Sequence, residues 1–129
     1  MIGLESPVIK INTTTNELIE FLGNPKNSSF IYQHKVIRQF QPEIDGFTFI
    51  IKRASIFNFK LKKTNQEEIK FVSKKDMPFE SVLAFKFHEA GEISVAFQSD
   101  TTPFMDFMIE KKVDQWLNFM LTEIKNHFN

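Results

Sequence analysis

Between residues 34 and 99 the apolar side chains return at every second position, in six successive runs. Phe47, Phe49 and Ile51 share one parity within 46–52. Phe57, Phe59 and Leu61 share one within 56–62, with Asn58, Lys60 and Lys62 opposite. Ile69 and Phe71 continue the pattern, followed by Leu83, Phe85 and Phe87, and then by Ile93, Val95 and Phe97. Strict alternation of this kind marks strands with one buried face and one wet face. Clusters of turn-forming residues at 42–46, 63–66, 76–78 and 88–91 separate the runs. With 34–40 as the first run, the pattern predicts six consecutive strands, most economically an antiparallel meander.

The flanks follow another rhythm. Residues 7–11, with Val8, Ile9 and Ile11, make a short β-prone run. Thr14 with Glu17 three residues later has the form of a capping box, and Leu18, Ile19, Phe21 and Leu22 supply a helical face that Gly23 ends. Asn24-Pro25 pairs an N-cap with a first-turn proline, so a second short helix is expected over about 25–31 after a first over about 14–22. Thr102-Pro103 opens a last helix in the same way, with Asp106 complementing its dipole. Met105, Ile109, Val113, Trp116, Met120 and Ile124 recur at steps of three and four, and Met108, Leu117 and Phe119 widen the stripe. With no breaker before the chain ends, this helix is expected to run about 25 residues, near 37 Å at 1.5 Å per residue. A half-buried sheet needs a second layer, and only this helix is long enough to supply it.

Composition sharpens the picture. A chain of 129 residues is the size of one domain, and 42% hydrophobic with 25% charged residues is a globular balance, so a single domain over 1–129 is expected. Phenylalanine dominates the aromatic set: 16 against one Trp and one Tyr. The absence of cysteine excludes a disulfide scaffold, thiolate chemistry and any cysteine-ligated zinc. The opening residues lack a basic stretch followed by an apolar one, so no signal peptide is expected, and a cytoplasmic location follows as the expectation. Sixteen Lys+Arg balance sixteen Asp+Glu, but unevenly: residues 33–75 hold ten basic and four acidic side chains, and residues 76–129 four and nine. A solvated outer sheet face explains the lysines at 60–75 more simply than an anionic membrane does. Aromatic residues do not interleave with them, so a nucleic-acid partner is not expected.

Strand, two short helices, six-strand meander and long C-terminal helix together resemble the helix-grip order of the START-like SRPBCC superfamily, relatives of the birch pollen allergen and of polyketide cyclases. Three segments carry the resemblance: residues 14–27, an amphipathic helix running into Asn24-Pro25; residues 45–52, from Asp45-Gly46 into the Phe-rich strand; and residues 103–121, from Pro103 through Trp116 to Leu121. The resemblance implies an α+β fold in which a curved antiparallel sheet of about seven strands wraps the C-terminal helix. It also implies an apolar cavity between the two for lipids, sterols, hormones or polyketides. Function on a shared fold resides in the site, so the ligand is not named by the fold.

On this basis the expected ligand-binding residues are the inward Phe49, Ile51, Phe57, Phe59, Phe71, Phe85 and Phe97, with Met105, Met108 and Trp116 on the covering helix. Arg53 shares parity with Phe49 and Ile51 and is a candidate carboxylate anchor, and Ser73 shares parity with Ile69 and Phe71. Their ordinary alternatives are an arginine reaching water at a strand end and a serine bonded to backbone. The histidines at 34, 88 and 127 lack metal-ligand spacing, and no phosphate loop or nucleophile elbow is present, so no metal and no cofactor are expected. The leading expectation is binding or carriage of a hydrophobic small molecule without catalysis. The alternatives are a cyclase or aromatase, for which Ser73, Arg53, Arg38 and Tyr32 are the polar side chains on offer, and a co-chaperone-type interaction module.

Overall fold

The structure, a computed structural model, describes residues 1–129. Its elements in chain order are β1 (Ile2–Glu5), β2 (Ile9–Lys10), α1 (Thr15–Leu22), a 3-10 helix (Ser29–Tyr32), β3 (Ile37–Pro42), β4 (Gly46–Ile51), β5 (Ser55–Thr64), β6 (Glu68–Ser73), β7 (Ser81–Phe87), β8 (Glu92–Ser99) and α2 (Pro103–Phe128). The sheet is antiparallel throughout, in the order β1-β8-β7-β6-β5-β4-β3, with β2 also on β8. The six alternating runs are therefore the meander β3 to β8, and the chain's beginning closes onto the last strand. This is the α+β helix-grip layout, an open curved sheet against a long C-terminal helix.

The inward parity is the one the alternation gives. Phe47 faces Phe59, Phe49 faces Phe57, Ile69 faces Phe85 and Phe71 faces Leu83 across neighbouring strands, and all are buried. Against them α2 buries Ile109, Val113, Trp116, Leu117, Met120, Leu121 and Ile124. Two glycines are fixed by close approach or conformation. A Cβ at Gly46 would stand 2.1 Å from the Phe59 carbonyl oxygen, and at Gly91, where φ is +80°, a Cβ would stand 2.7 and 3.0 Å from the Ile11 and Thr13 carbonyl oxygens.

Three irregularities before β4 depart from the sequence pattern, and a fourth shifts the β5–β6 register by one residue between Leu61 and Lys63. The first strand begins at Ile2, not at residue 7, and is broken at Ser6-Pro7: Glu5 pairs with Ala96 but Ile9 with Ile93, one residue out of step. Proline has no N–H for the ladder, and Ser6 fills the gap, its hydroxyl oxygen accepting from Val95 N–H at 2.9 Å. The expected helix over 25–31 is instead a turn followed by the 3-10 helix. The Asn24 carbonyl accepts from Asn27 and Ser28 N–H, but Ser28 Oγ also donates to it, a local alternative to continued helix. In β3, Gln39 (φ 53°) is an extra residue between Arg38, paired with Ile50, and Gln41, paired with Thr48. That bulge turns Phe40 to the inner face, onto Tyr32 and Phe47.

Thr14 Oγ1 caps α1 by accepting from Glu17 N–H at 3.2 Å, but the Glu17 carboxylate takes the Thr13 hydroxyl and does not return to residue 14. Thr102 caps α2 by accepting from Met105 N–H at 3.2 Å. Asp106 does more than face the helix dipole. It accepts from the Met1 ammonium at 2.8 Å and from the Thr101 hydroxyl, and these two bonds hold its carboxyl below the usual carboxylate range.

Candidate functional site

The inner face of the sheet is a continuous layer of rings. Phe49 stacks on Phe57 at 5.3 Å and on Phe59 at 5.7 Å, Phe47 meets Phe71 edge-on at 5.2 Å, and Phe97 closes edge-on against Phe57 at 5.9 Å. Trp116 lies against Phe49 at 4.9 Å, and its indole Nε1–H donates to the Tyr32 carbonyl at 3.0 Å. Phe49, Ile51, Phe57, Phe59, Phe71, Phe85, Phe97 and Trp116 are thus brought together in one buried cluster, touching each other. The space expected to be a ready cavity is occupied by these rings.

One polar group is embedded in that layer. Tyr32, from the 3-10 helix, stacks on Phe47 at 4.6 Å and on Phe40 at 5.3 Å, fully buried. Its phenol oxygen has no hydrogen-bond partner, while the neighbouring Ser28 hydroxyl donates to the Asn24 carbonyl. Burial drives the phenol pKa far above its ordinary value, drawn back only in part by the neighbouring Ser28. An unpartnered buried hydroxyl costs roughly 1–3 kcal/mol, which an acceptor oxygen would recover.

α2 is packed unevenly. From Ile109 onward its inner face is buried, whereas from Pro103 to Met108 no residue is. Met105 and Met108 are half-buried against the core cluster. Beside them the helix and the sheet edge part in a groove of about 480 Å³ lined by Val36, Phe107, Met108 and the lysines at 35, 52, 111 and 112. Lys112 Nζ donates to the Lys52 carbonyl at 2.8 Å, pinning the helix to the β4–β5 turn.

Arg53 and Ser73 do not join the cluster. Arg53 is exposed in the β4–β5 turn with φ 65°, a left-handed conformation that lifts it out of the strand's inward parity. It lines a shallow depression with Arg38, Ile50 and Lys52 on the outside of the sheet. Ser73, half-buried at the end of β6, accepts from Ser81 N–H at 2.9 Å. Arg38, Arg53, Ser73 and Tyr32 therefore occupy three separate places and form no acid–base constellation. Two further depressions lie away from the rings. One crosses the outer face of β1, β8, β7 and β6, and the other runs from Val72 to Asp100 past Met77. Of the lysines at 60–75, Lys60 reaches Asp45 at 3.8 Å and Lys63 reaches Glu68 at 3.6 Å.

The alternation pattern could not show the groove, because its lining comes from the loop before β3 and from the outward side of α2. Helical phase could have shown part of it. Phe104, Phe107 and Lys111 lie opposite the Ile109–Val113–Trp116 stripe at 100° per residue.

No family model and no curated protein matches the chain. Solved structures do match over nearly its whole length. A hypothetical protein from Sulfolobus tokodaii superposes with a TM-score of 0.72 at 13% identity, covering 99% of this chain and 93% of that one. A Deinococcus radiodurans protein gives 0.67 at 11% identity over 98% and 95%. A Chromobacterium violaceum protein gives 0.68 at 10% identity over 98% and 96%. Likeness at such identities is a likeness of fold, the curved sheet against a long C-terminal helix.

Proposed function

We propose that this chain binds a small hydrophobic or amphiphilic molecule between the sheet and the N-terminal half of α2, and that it does so without chemistry of its own. The observation that carries this reading is the uneven packing of α2. Over Pro103–Met108 the helix contributes only two half-buried methionines to the core, and one of them, Met108, also lines the groove between helix and sheet edge. Methionine is the side chain best suited to repack around an incoming apolar group. A ligand entering there would part Met105 and Met108 from the core they pack against, with the lysines at 35 and 112 at the mouth for an anionic end. The unpartnered phenol of Tyr32, deeper in the same layer, offers a donor for a ligand oxygen. The separation of Arg38, Arg53, Ser73 and Tyr32 supports binding over cyclase-type catalysis, which needs converging groups for proton transfer.

Native mass spectrometry of the protein purified from its own host tests the reading. A non-covalent adduct of a fatty, isoprenoid or aromatic molecule is expected, and it should be lost on Met108→Glu, which places a charge at the mouth. A mass equal to that of the bare chain, unchanged after incubation with such molecules, would overturn it.

A further inference from the structure

We infer that the first two turns of α2 dock on the surface of an anionic phospholipid membrane. Two aromatic rings stand in water there: Phe104 is 73% exposed and Phe107 is 87% exposed, far beyond any buried phenylalanine of the sheet. They are three residues apart and so adjacent on the helix. At 100° per residue they point directly away from the buried stripe of Ile109, Val113 and Trp116, which makes them a ridge projecting outward. Together the two rings expose on the order of 300 Å² of apolar surface, within the range of the largest patch on an ordinary monomer, which is often a functional one.

Charge identifies the occupant. Lys111 follows Phe104 and Phe107 on the same face, Lys112 is tied to the carbonyl of Lys52, and Lys35 lines the groove below. Lys52 in turn borders the depression that holds Arg38 and Arg53. None of these six cations has a carboxylate within ion-pair distance; the ion pairs are Met1–Asp106, Asp45–Lys60, Lys63–Glu68 and Glu5–Lys86. Rings that leave water beside unpaired cations are what the interface of an anionic bilayer accepts. A second copy docked by a two-fold axis would set these unpaired cations against each other. Single-stranded nucleic acid stacks successive bases on rings lying along a cationic groove, whereas only Phe107 borders the lysine-lined groove and Phe104 stands outside it. Glu110 and Asp114 occupy the helix flank opposite Lys112.

The test is co-sedimentation with vesicles of phosphatidylcholine alone and of phosphatidylcholine with phosphatidylglycerol in equal parts. The protein should sediment with the second and not the first. Added salt should weaken binding, and Lys111→Gln should cost roughly fivefold in affinity. Phe104→Ser with Phe107→Ser should abolish sedimentation while Trp116 emission stays native, which keeps misfolding out of the result. Equal binding to both vesicles, no binding to either, or sedimentation indifferent to the two serine substitutions would overturn the inference. So would a dimer that disappears with those substitutions, or retention on poly(dT) lost with them. The assay involves no internal ligand, so its failure leaves the ligand reading standing, and a missing ligand leaves membrane docking standing.

Discussion

Phe49 and Phe107 are the same side chain in opposite circumstances. Phe49 lies between Phe57, Phe59 and Trp116 with no surface in water. Phe107 sits on the covering helix and shows nearly all of its surface. The sheet is therefore held by one aromatic layer while α2 carries another that contributes nothing to it. Apolar surface left out of the core adds nothing to the fold's stability, and at Phe104 and Phe107 it is what the docking proposal rests on. The two ends of α2 show the same division: Ile109–Ile124 closes the core, and Pro103–Met108 rests on it loosely.

The largest expected effect tests the inner layer. Trp116→Ala should lower stability by about 3–5 kcal/mol in urea unfolding, because it empties a large site and removes the indole bond to the Tyr32 carbonyl. Phe107→Ala should stay within about 0.5 kcal/mol of the parent. Equal costs at the two positions would erase the contrast. Gly46→Ala asks whether the tightness extends to the backbone. Its methyl would meet the Phe59 carbonyl, and a loss of about 1–3 kcal/mol is expected by the same unfolding assay.

The smallest effect lies at the border between the two regions. His34 is half-buried, its ring 4.8 Å from Phe119, and its Nδ1 accepts from Val36 N–H at 3.4 Å. Burial, and secondarily the charge of Lys35, lower its pKa. The unfolded chain therefore takes up the proton at a higher pH than the folded one. Stability should be full above the ordinary histidine value of about 6.5, fall as pH drops through it, and level off below the folded pKa. The change should be a fraction of a kcal/mol, since solvent screens the ring. Unfolding midpoints taken across that window should lose this slope in His34→Gln.

These contrasts also explain what was legible in the sequence. The parity from Phe47 to Phe97 predicted the strands β4 to β8 and their inward rings, because a one-residue slip would have put all those rings in water. The long helix was equally plain from its stripe. What escaped were places where one residue breaks the period. Gln39 is an extra residue that sends Phe40 inward, and Ser6-Pro7 splits the first strand. Both are decided by the partner strand, which the local sequence does not contain. The 3-10 helix escaped because Asn24-Pro25 signals a helix start whether or not the turn continues. Ring packing was legible as burial, but whether rings fill a space or surround one depends on how far the sheet curls. Alternation carries no information about that. Arg53 was misplaced by extending strand parity one residue into a turn.

The most direct measurement is the indole ¹H–¹⁵N resonance of the protein's one tryptophan. That N–H is bonded to the Tyr32 carbonyl within the ring layer, on the part of α2 that closes the core. During titration with a long-chain fatty acid, the account predicts one native peak that moves to a new, saturating position as the layer opens around the ligand. A peak that stays fixed while the acid associates elsewhere would contradict it.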